Sequence, residues 1–173
     1  MNYCNVHTAY ELKTTDQRRK SHMKYGLFLC SNTLDDGAEN NSGLFFTSVN
    51  QINKGGPDAI HNPNHRSKLA VLNLKAGELS ISLSDITTAF MFFEHGISYL
   101  GEDLWTAQYD ISLGLYDATA EVASALGKND SVTYYTNEVV KNAHSVDDRL
   151  HCKCLLYPLS DFFVTYLIVT ANL

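Results

Sequence analysis

The stretch Glu102–Leu126, EDLWTAQYDISLGLYDATAEVASAL, contains no proline and one internal glycine, and its apolar residues recur with a helical period. They form two adjacent stripes. One stripe consists of Trp105, Tyr109, Leu113, Tyr116, Ala120 and Ala123, and the other of Leu104, Ile111, Leu115, Ala118, Val122 and Leu126. A helix on the surface of a single core needs only one such stripe. The pattern therefore predicts one long helix with neighbours on two sides, as in a stack of helices.

The composition of the whole chain is that of one globular domain. The 173 residues are 45% hydrophobic and 18% charged, which is enough apolar material for a core of ordinary size. The formal charge of −6 argues against a non-specific nucleic-acid binder, because such proteins contact phosphates through clustered Lys and Arg. We therefore expect no nucleic-acid partner.

The cysteines indicate a reducing environment. The four cysteines are too few and too unevenly spaced for a disulfide scaffold, and they are Cys4, Cys30, Cys152 and Cys154. The first 20 residues, MNYCNVHTAYELKTTDQRRK, lack the long apolar core of a secretion signal. Both observations favour a cytoplasmic protein.

Start and stop signals divide the first half of the chain into helices. Thr14, followed by Gln17, resembles a capping box at the start of a helix that continues to about Asn32. An acidic loop is expected over 34–42, followed by a short helix that ends at Gly55-Gly56-Pro57. The helical pattern resumes at about Arg66.

The same signals continue in the second half. Ser84-Asp85 provides a cap for the next helix, and Gly101 ends that helix. After the long helix, Gly127 to Asp130 combines a stop with a new cap, and a further helix follows. Ser145 and Asp148 have the spacing to cap one more helix. We therefore expect about seven or eight helices in residues 1–154.

The C-terminal tail, residues 155–173, has a different texture. It is dense in apolar and β-branched residues, and with Pro158 and Asp161 it is too short for a clean membrane span of about 20 residues. The tail is a truncated or atypical end, or a terminal element that packs on the last helices. Its uncovered apolar residues predict self-association of the fragment, and they include Phe162, Phe163, Tyr166, Leu167 and Ile168.

Two stretches share a spacing of small and large residues that is typical of tetratricopeptide repeats. The first contains Gly77, Ser84-Asp85, Ala89, Phe93 and Gly96, and the second contains Ala120, Gly127, Val132 and Val139. Small residues let two helices approach, and a large residue fills the gap between them. The turns are 43 residues apart, so the array would be irregular. The predicted fold is all-α, an irregular tetratricopeptide-like stack of antiparallel helix pairs. Its key positions are Gly77, Ala89, Phe93, Gly96, Trp105, Tyr109, Tyr116, Ala120 and Gly127.

The order of these segments resembles a known helical-repeat region. AYELKTTDQRRKSHMKYGLFL, FFTSVNQINKGGPDAI, the segment from Lys68 to Trp105 and YDISLGLYDATAEVASALGKNDS follow one another as in the repeats behind the AAA-type, STAND-like ATPase module of large signalling proteins. The resemblance covers 9–150, and the tail departs from it. It implies that an ATPase site and an output domain, such as a histidine kinase or nucleotide cyclase, lie outside these residues, so no functional residue of theirs is carried over.

The residues that could carry chemistry lack the partners that chemistry needs. His151, Cys152 and Cys154 lack the paired ligand clusters of a structural zinc site. The pair Glu94-His95, like His61 and His65, has no candidate nucleophile in a recognisable setting. Neither Gly127-Lys128 nor Gly55-Gly56-Pro57 belongs to a phosphate loop. We therefore predict no catalytic residue, cofactor or metal in this chain.

Three classes of function follow. The first is a non-catalytic scaffold or interaction segment whose partners are the flanking ATPase and output domains, or a peptide on a concave face. The second is a fragment of an enzyme whose active site lies elsewhere, and the third is a membrane-associated protein anchored by the tail. The basic run Arg18, Arg19, Lys20 and Lys24 is a solvated helix face or part of a groove, and a basic, aromatic groove would favour the first class.

Overall fold

The computed structural model describes residues 10–34 and 42–149, and this part of the chain is all-helical, without strands. The all-α prediction is confirmed. A short 3-10 helix, Pro57–Ala59, lies among α-helices, which we number α1 Thr15–Leu34, α2 Ser42–Gly55, α3 Pro63–Ser82, α4 Ile86–Tyr99, α5 Leu104–Ala107, α6 Tyr109–Ala125 and α7 Asn129–Asn142. The predicted acidic loop, most of which is 35–41, and the tail 155–173 lie outside the described residues.

The predicted caps of α1 and α4 form as expected, whereas the cap predicted within Gly127 to Asp130 does not, because α7 begins after Lys128 without a side-chain capping hydrogen bond. At the start of α1, the Gln17 amide donates to Thr14 Oγ1 over 3.3 Å and the Thr14 amide donates to Gln17 Oε1 over 3.0 Å, which is a reciprocal capping box. Asp85 accepts a hydrogen bond from the Thr88 amide at the start of α4. The helix expected from about Arg66 begins earlier, because Asn62 caps it and Pro63 suits a first helical position.

The helices pack in pairs, and α3 with α4 shows the geometry. Gly77 of α3 lies against Phe93 of α4, and Asn73, one turn earlier in α3, lies beside Gly96, about one turn later in α4. The two helices therefore run in opposite directions. The same pairing joins α1 to α2 and α6 to α7.

Neighbouring pairs are joined by a mixed apolar and polar contact. Between the first two pairs, the buried Tyr99 hydroxyl donates to the Ile52 carbonyl over 3.0 Å, and the rings of Phe46 and Phe92 stack with centroids 5.7 Å apart. The third pair is joined through α4 and α6. All three pairs contribute to one buried cluster, so each pair is stabilised by its neighbours in the sequence.

The prediction of one uninterrupted helix over Glu102–Leu126 is wrong. The helix breaks at Gln108, where φ is −139° and ψ is 39°, and the ring of Trp105 then lies 5.0 Å from that of Tyr116. In a straight helix, residues eleven positions apart are separated by about 16 Å, so this contact needs the break. Trp105 is only partly buried, and its ring packs against α6. The predicted packing on two sides is confirmed for α6, which contacts α4 and α7.

Candidate binding surfaces

The predicted positions of the first repeat lie where helices meet. Ala89 and Phe93 are fully buried, and a Cβ atom at Gly77 would overlap the Phe93 ring. A Cβ atom at Gly96 would lie 2.6 Å from Leu115 Cδ2 of α6. Gly77 thus faces the partner helix of its own pair, whereas Gly96 lies between Asn73 of its own pair and Leu115 of the next pair.

The two small residues of the second repeat differ in their surroundings, because Ala120 lies at a helix contact whereas a Cβ atom at Gly127 would have no atom within 4 Å. Ala120 is fully buried, and Gly127 has a φ of +68°, which a glycine adopts without strain, at the end of α6. The buried Tyr116 ring touches Trp105 on one side and Tyr135 on the other, and burial raises the pKa of the Tyr116 hydroxyl to about 12. Ala120 and Tyr116 therefore contribute to the packing of the helices.

Tyr109 belongs to a hydrogen-bonded cluster at the end of the third pair. Its hydroxyl donates to Asp148 Oδ2 over 2.6 Å and accepts from the His144 amide over 2.9 Å, while its ring stacks on the His144 ring at 3.7 Å. Hydrogen bonds, first from Tyr109 and then from Ser145, lower the pKa of the Asp148 carboxyl. Sequence reasoning placed Tyr109 in an apolar stripe and missed this hydrogen-bonded cluster, because its partners follow α7, His144 in a bend and Asp148 in the helical residues 146–149.

Side chains that could have formed a reaction centre are separated or otherwise engaged. Glu94 accepts a hydrogen bond from the Tyr135 hydroxyl over 3.1 Å, and burial lowers the pKa of the half-buried His95 imidazole. The Lys128 ammonium lies 3.6 Å from the centroid of the Phe90 ring. His61 and His65 are exposed.

Within 10–34 and 42–149, no group of three His, Cys, Asp or Glu side chains is placed to hold a metal ion. In those same ranges, no helix is both long and apolar enough to cross a membrane. His151, Cys152 and Cys154, which the sequence analysis considered and rejected as a zinc site, lie outside these ranges.

The first candidate surface is an apolar groove that crosses the first helix of each pair. We call it the apolar groove, and its volume is about 460 Å³. Its lining comes from α1, α3 and α6 and consists of Leu27, Cys30, Ser67, Lys68, Leu69, Val71, Leu72, Lys75 and Ile111. Burial raises the pKa of the Cys30 thiol, so that side chain stays neutral. The surface is therefore apolar apart from two lysines and one serine.

The two lysines of the apolar groove share one face of α3. Lys68 and Lys75 are seven positions apart, which is about two helical turns, and Val71 and Leu72 lie between them on that face. Both ammonium groups are exposed, and neither has a carboxylate within 4.0 Å among the described residues. The groove thus presents an apolar strip with one positive charge at each end.

The second candidate surface lies where the start of α1 meets the end of α2. We call it the basic pocket. It has a volume of about 430 Å³ and is lined by Tyr10, Thr15, Arg18, Arg19, His22 and Lys54. The sequence pattern singled out Arg18 and Arg19 but not Lys54, because Lys54 is brought to them only by the antiparallel packing of α2 on α1.

Hydrogen bonds hold the floor of the basic pocket in place. His22 Nε2 lies 2.8 Å from the Tyr10 hydroxyl, and His22 Nδ1 lies 2.7 Å from Gln51 Oε1. The Arg18 guanidinium lies 5.4 Å from the centroid of the Tyr10 ring, within the range of a cation–π interaction. The pocket is therefore organised by contacts among its own residues.

The cations of the basic pocket are only loosely neutralised. Arg18 lies 3.7 Å from Glu11, and Arg19 lies 3.5 Å from Asp58, whose side chain is 82% exposed. Such exposed ion pairs are weak. Lys54 has no carboxylate within 4.0 Å in the ranges that the structure covers.

In comparisons with protein-family models, curated proteins and solved structures, the chain matches none.

Proposed function

We propose that this chain is a non-catalytic helical-repeat interaction segment that binds an amphipathic helical peptide along the apolar groove. The observation that carries the proposal is the composition of that groove, an apolar strip between Lys68 and Lys75. A helix that places its apolar face in such a groove is a common mode of peptide recognition. Repeat arrays use extended surfaces of this kind because several repeats contribute to one surface.

The charges of the groove define the partner. Because Lys68 and Lys75 are about two turns apart on α3, a helix lying along α3 would pair with them through carboxylates seven positions apart. Its apolar residues, at the third and fourth positions between those carboxylates, would cover Val71 and Leu72. The partner is therefore a helix with a short apolar face and an acidic residue at each end.

The resemblance to the repeats of signalling ATPases sets the wider proposal. The helix pairs form an irregular tetratricopeptide-like stack that couples or spaces an ATPase and an output domain in a larger protein. The three contiguous pairs support it, since a change of packing at one end of such a stack alters the next pair. An ATPase phosphate loop in the reading frame beside these residues is the expected finding. Its absence would remove the ATPase part of the proposal.

The peptide proposal is tested with two designed helical peptides. Both carry the same apolar face, with glutamates seven positions apart in one and lysines in the other, and binding is followed by fluorescence anisotropy. We expect the chain to bind the glutamate peptide at least about tenfold more tightly. Equal affinity for both peptides, or no binding of either, would refute the proposed partner.

Three variants test whether the peptide binds in the groove. Leu27→Glu adds a charge to the groove and should abolish binding, whereas Met91→Glu adds the same charge to α4 and should leave binding unchanged. Leu27 and Met91 are comparably exposed, at 43% and 54%, so neither substitution should disturb the core. Lys75→Glu should weaken binding of the glutamate peptide, and a lysine at the facing peptide position should restore it.

The absence of catalysis is tested separately. Phosphoryl transfer needs a phosphate cradle, a held divalent ion and a positioned nucleophile. The purified 173-residue chain is therefore expected to turn over neither ATP nor GTP. Turnover that disappears when a residue of this chain is mutated would favour an enzyme instead.

A further inference from the structure

We propose that the basic pocket binds a dianionic phosphoryl group, carried by a phosphorylated side chain or present as a free phosphate. The pocket and the apolar groove share no lining residue, so this inference does not depend on the peptide proposal.

The positive charge of the pocket is available to a ligand. Three cations line it, and the two carboxylates beside them lie at ion-pair distances of 3.5 and 3.7 Å with at least half of each side chain exposed. A dianion between the cations would gain more than these weak pairs lose. Lys54 has no described carboxylate to give up.

The kinds of donor favour a phosphoryl group over a single carboxylate. A guanidinium donates two parallel hydrogen bonds to a phosphate, and Arg18 and Arg19 approach from different directions because successive helical residues are about 100° apart. Lys54 adds a point charge from α2. Thr15 lies in the first turn of the 20-residue helix α1, where the helix dipole is positive. A group with three acceptor oxygens can use donors from all three directions.

The side chains of the pocket are also largely ordered before a ligand binds, so that ordering them on binding costs little entropy. His22 is held by Tyr10 and Gln51, and Tyr10 lies under Arg18, so two walls are in place before a ligand enters. Preorganisation of this kind raises affinity because fewer side chains lose freedom on binding.

Calorimetric titration of the full chain with three ligands tests the inference. The ligands are inorganic phosphate, a phosphothreonine peptide and the same peptide without the phosphate. We expect the phosphopeptide or phosphate to bind and the unmodified peptide not to bind. Tighter binding of the phosphopeptide identifies a phosphorylated protein as the source, whereas equal binding identifies the free anion. If neither phosphate-bearing ligand binds at millimolar concentration, the inference is wrong.

Substitutions with opposite expected effects locate the ligand. Arg19→Gln and Lys54→Gln should each weaken binding about tenfold, because each removes a charge-assisted hydrogen bond. Asp58→Asn should tighten binding a few-fold, because it removes the carboxylate that competes for Arg19. Lys24→Gln removes an exposed cation of α1 that lines neither the basic pocket nor the apolar groove, and it is the matched control, for which no change is expected.

These side chains are exposed, so thermal unfolding should show that each variant is folded. A variant set in which Asp58→Asn does not tighten binding, or in which Lys24→Gln weakens it as much as Lys54→Gln, would overturn the assignment.

Discussion

Replacing Gly77 by alanine tests whether the small residue at the centre of the α3–α4 pair is required by packing. A Cβ atom at Gly77 would lie closer than 3.0 Å to three carbon atoms of the Phe93 ring. Phe93 is fully buried and cannot swing into solvent. Overpacking of this kind costs about 3 kcal/mol at the upper end of its range, and the better helix propensity of alanine returns about 1 kcal/mol. The expected net loss of stability is about 2 kcal/mol.

Gly114→Ala is the matched control. Gly114 is also inside a helix, but its Cβ would meet only Leu74 Cδ2, at an ordinary contact distance of 3.7 Å. The propensity gain then acts alone, so this variant should be more stable by about 1 kcal/mol. The difference between the two variants, about 3 kcal/mol, isolates the overpacking cost because the propensity gain is common to both.

Urea unfolding followed by circular dichroism measures both changes. With two-state behaviour, the unfolding midpoint should fall for Gly77→Ala and rise for Gly114→Ala, and the melting temperatures should differ by about 6–12 °C. In a Phe93→Leu background, Gly77→Ala should cost less, since the smaller side chain leaves room for the methyl group. If Gly77→Ala stabilises the chain as much as Gly114→Ala does, the α3–α4 register described here is wrong.

Three further predictions concern single hydrogen bonds and one strained residue. Tyr99→Phe should cost about 1 kcal/mol in urea unfolding, because it removes the buried bond to the Ile52 carbonyl that joins the first two pairs; an unchanged midpoint would contradict that link. Ser84→Gly should stabilise the chain by about 0.5–1 kcal/mol, because Ser84 has a φ of +63°, and a loss of stability would count against this. The folded-state pKa of Asp148 is lowered, so its bonds stabilise the chain above the ordinary value of 3.8 and are lost as the pH falls through the folded-state pKa. Amide exchange next to Tyr109 should accelerate there, and Asp148→Asn should remove that pH dependence.

The capping predictions for α1 and α4 are confirmed because a cap depends only on local contacts. The capping box of Thr14 and Gln17 spans three positions, and its two hydrogen bonds need no other part of the chain. The same is true of Asp85 before α4. The two-sided burial of α6 could also be predicted, because the width of an apolar arc on a helix reflects how many neighbours cover it.

The break at Gln108 could not be predicted in this way. Glutamine is a good helix former, and nothing nearby in the sequence interrupts the helical pattern. The break is favoured by a tertiary contact, in which Trp105 folds back onto Tyr116 and the Ser112 hydroxyl donates to the Leu104 carbonyl over 2.8 Å. A contact between groups far apart along a straight helix leaves no periodic signal.

The sequence by itself determined the helical class, the helix ends at capping residues and the spacing of small residues, because propensity, capping and periodicity act within a few positions of the chain. Tertiary structure alone decided which surfaces exist. The apolar groove joins Leu27 to Ile111 across three helices, and the basic pocket joins Arg18 to Lys54 across two. Such distant residues meet only when burial of the apolar faces sets the packing of the helix pairs.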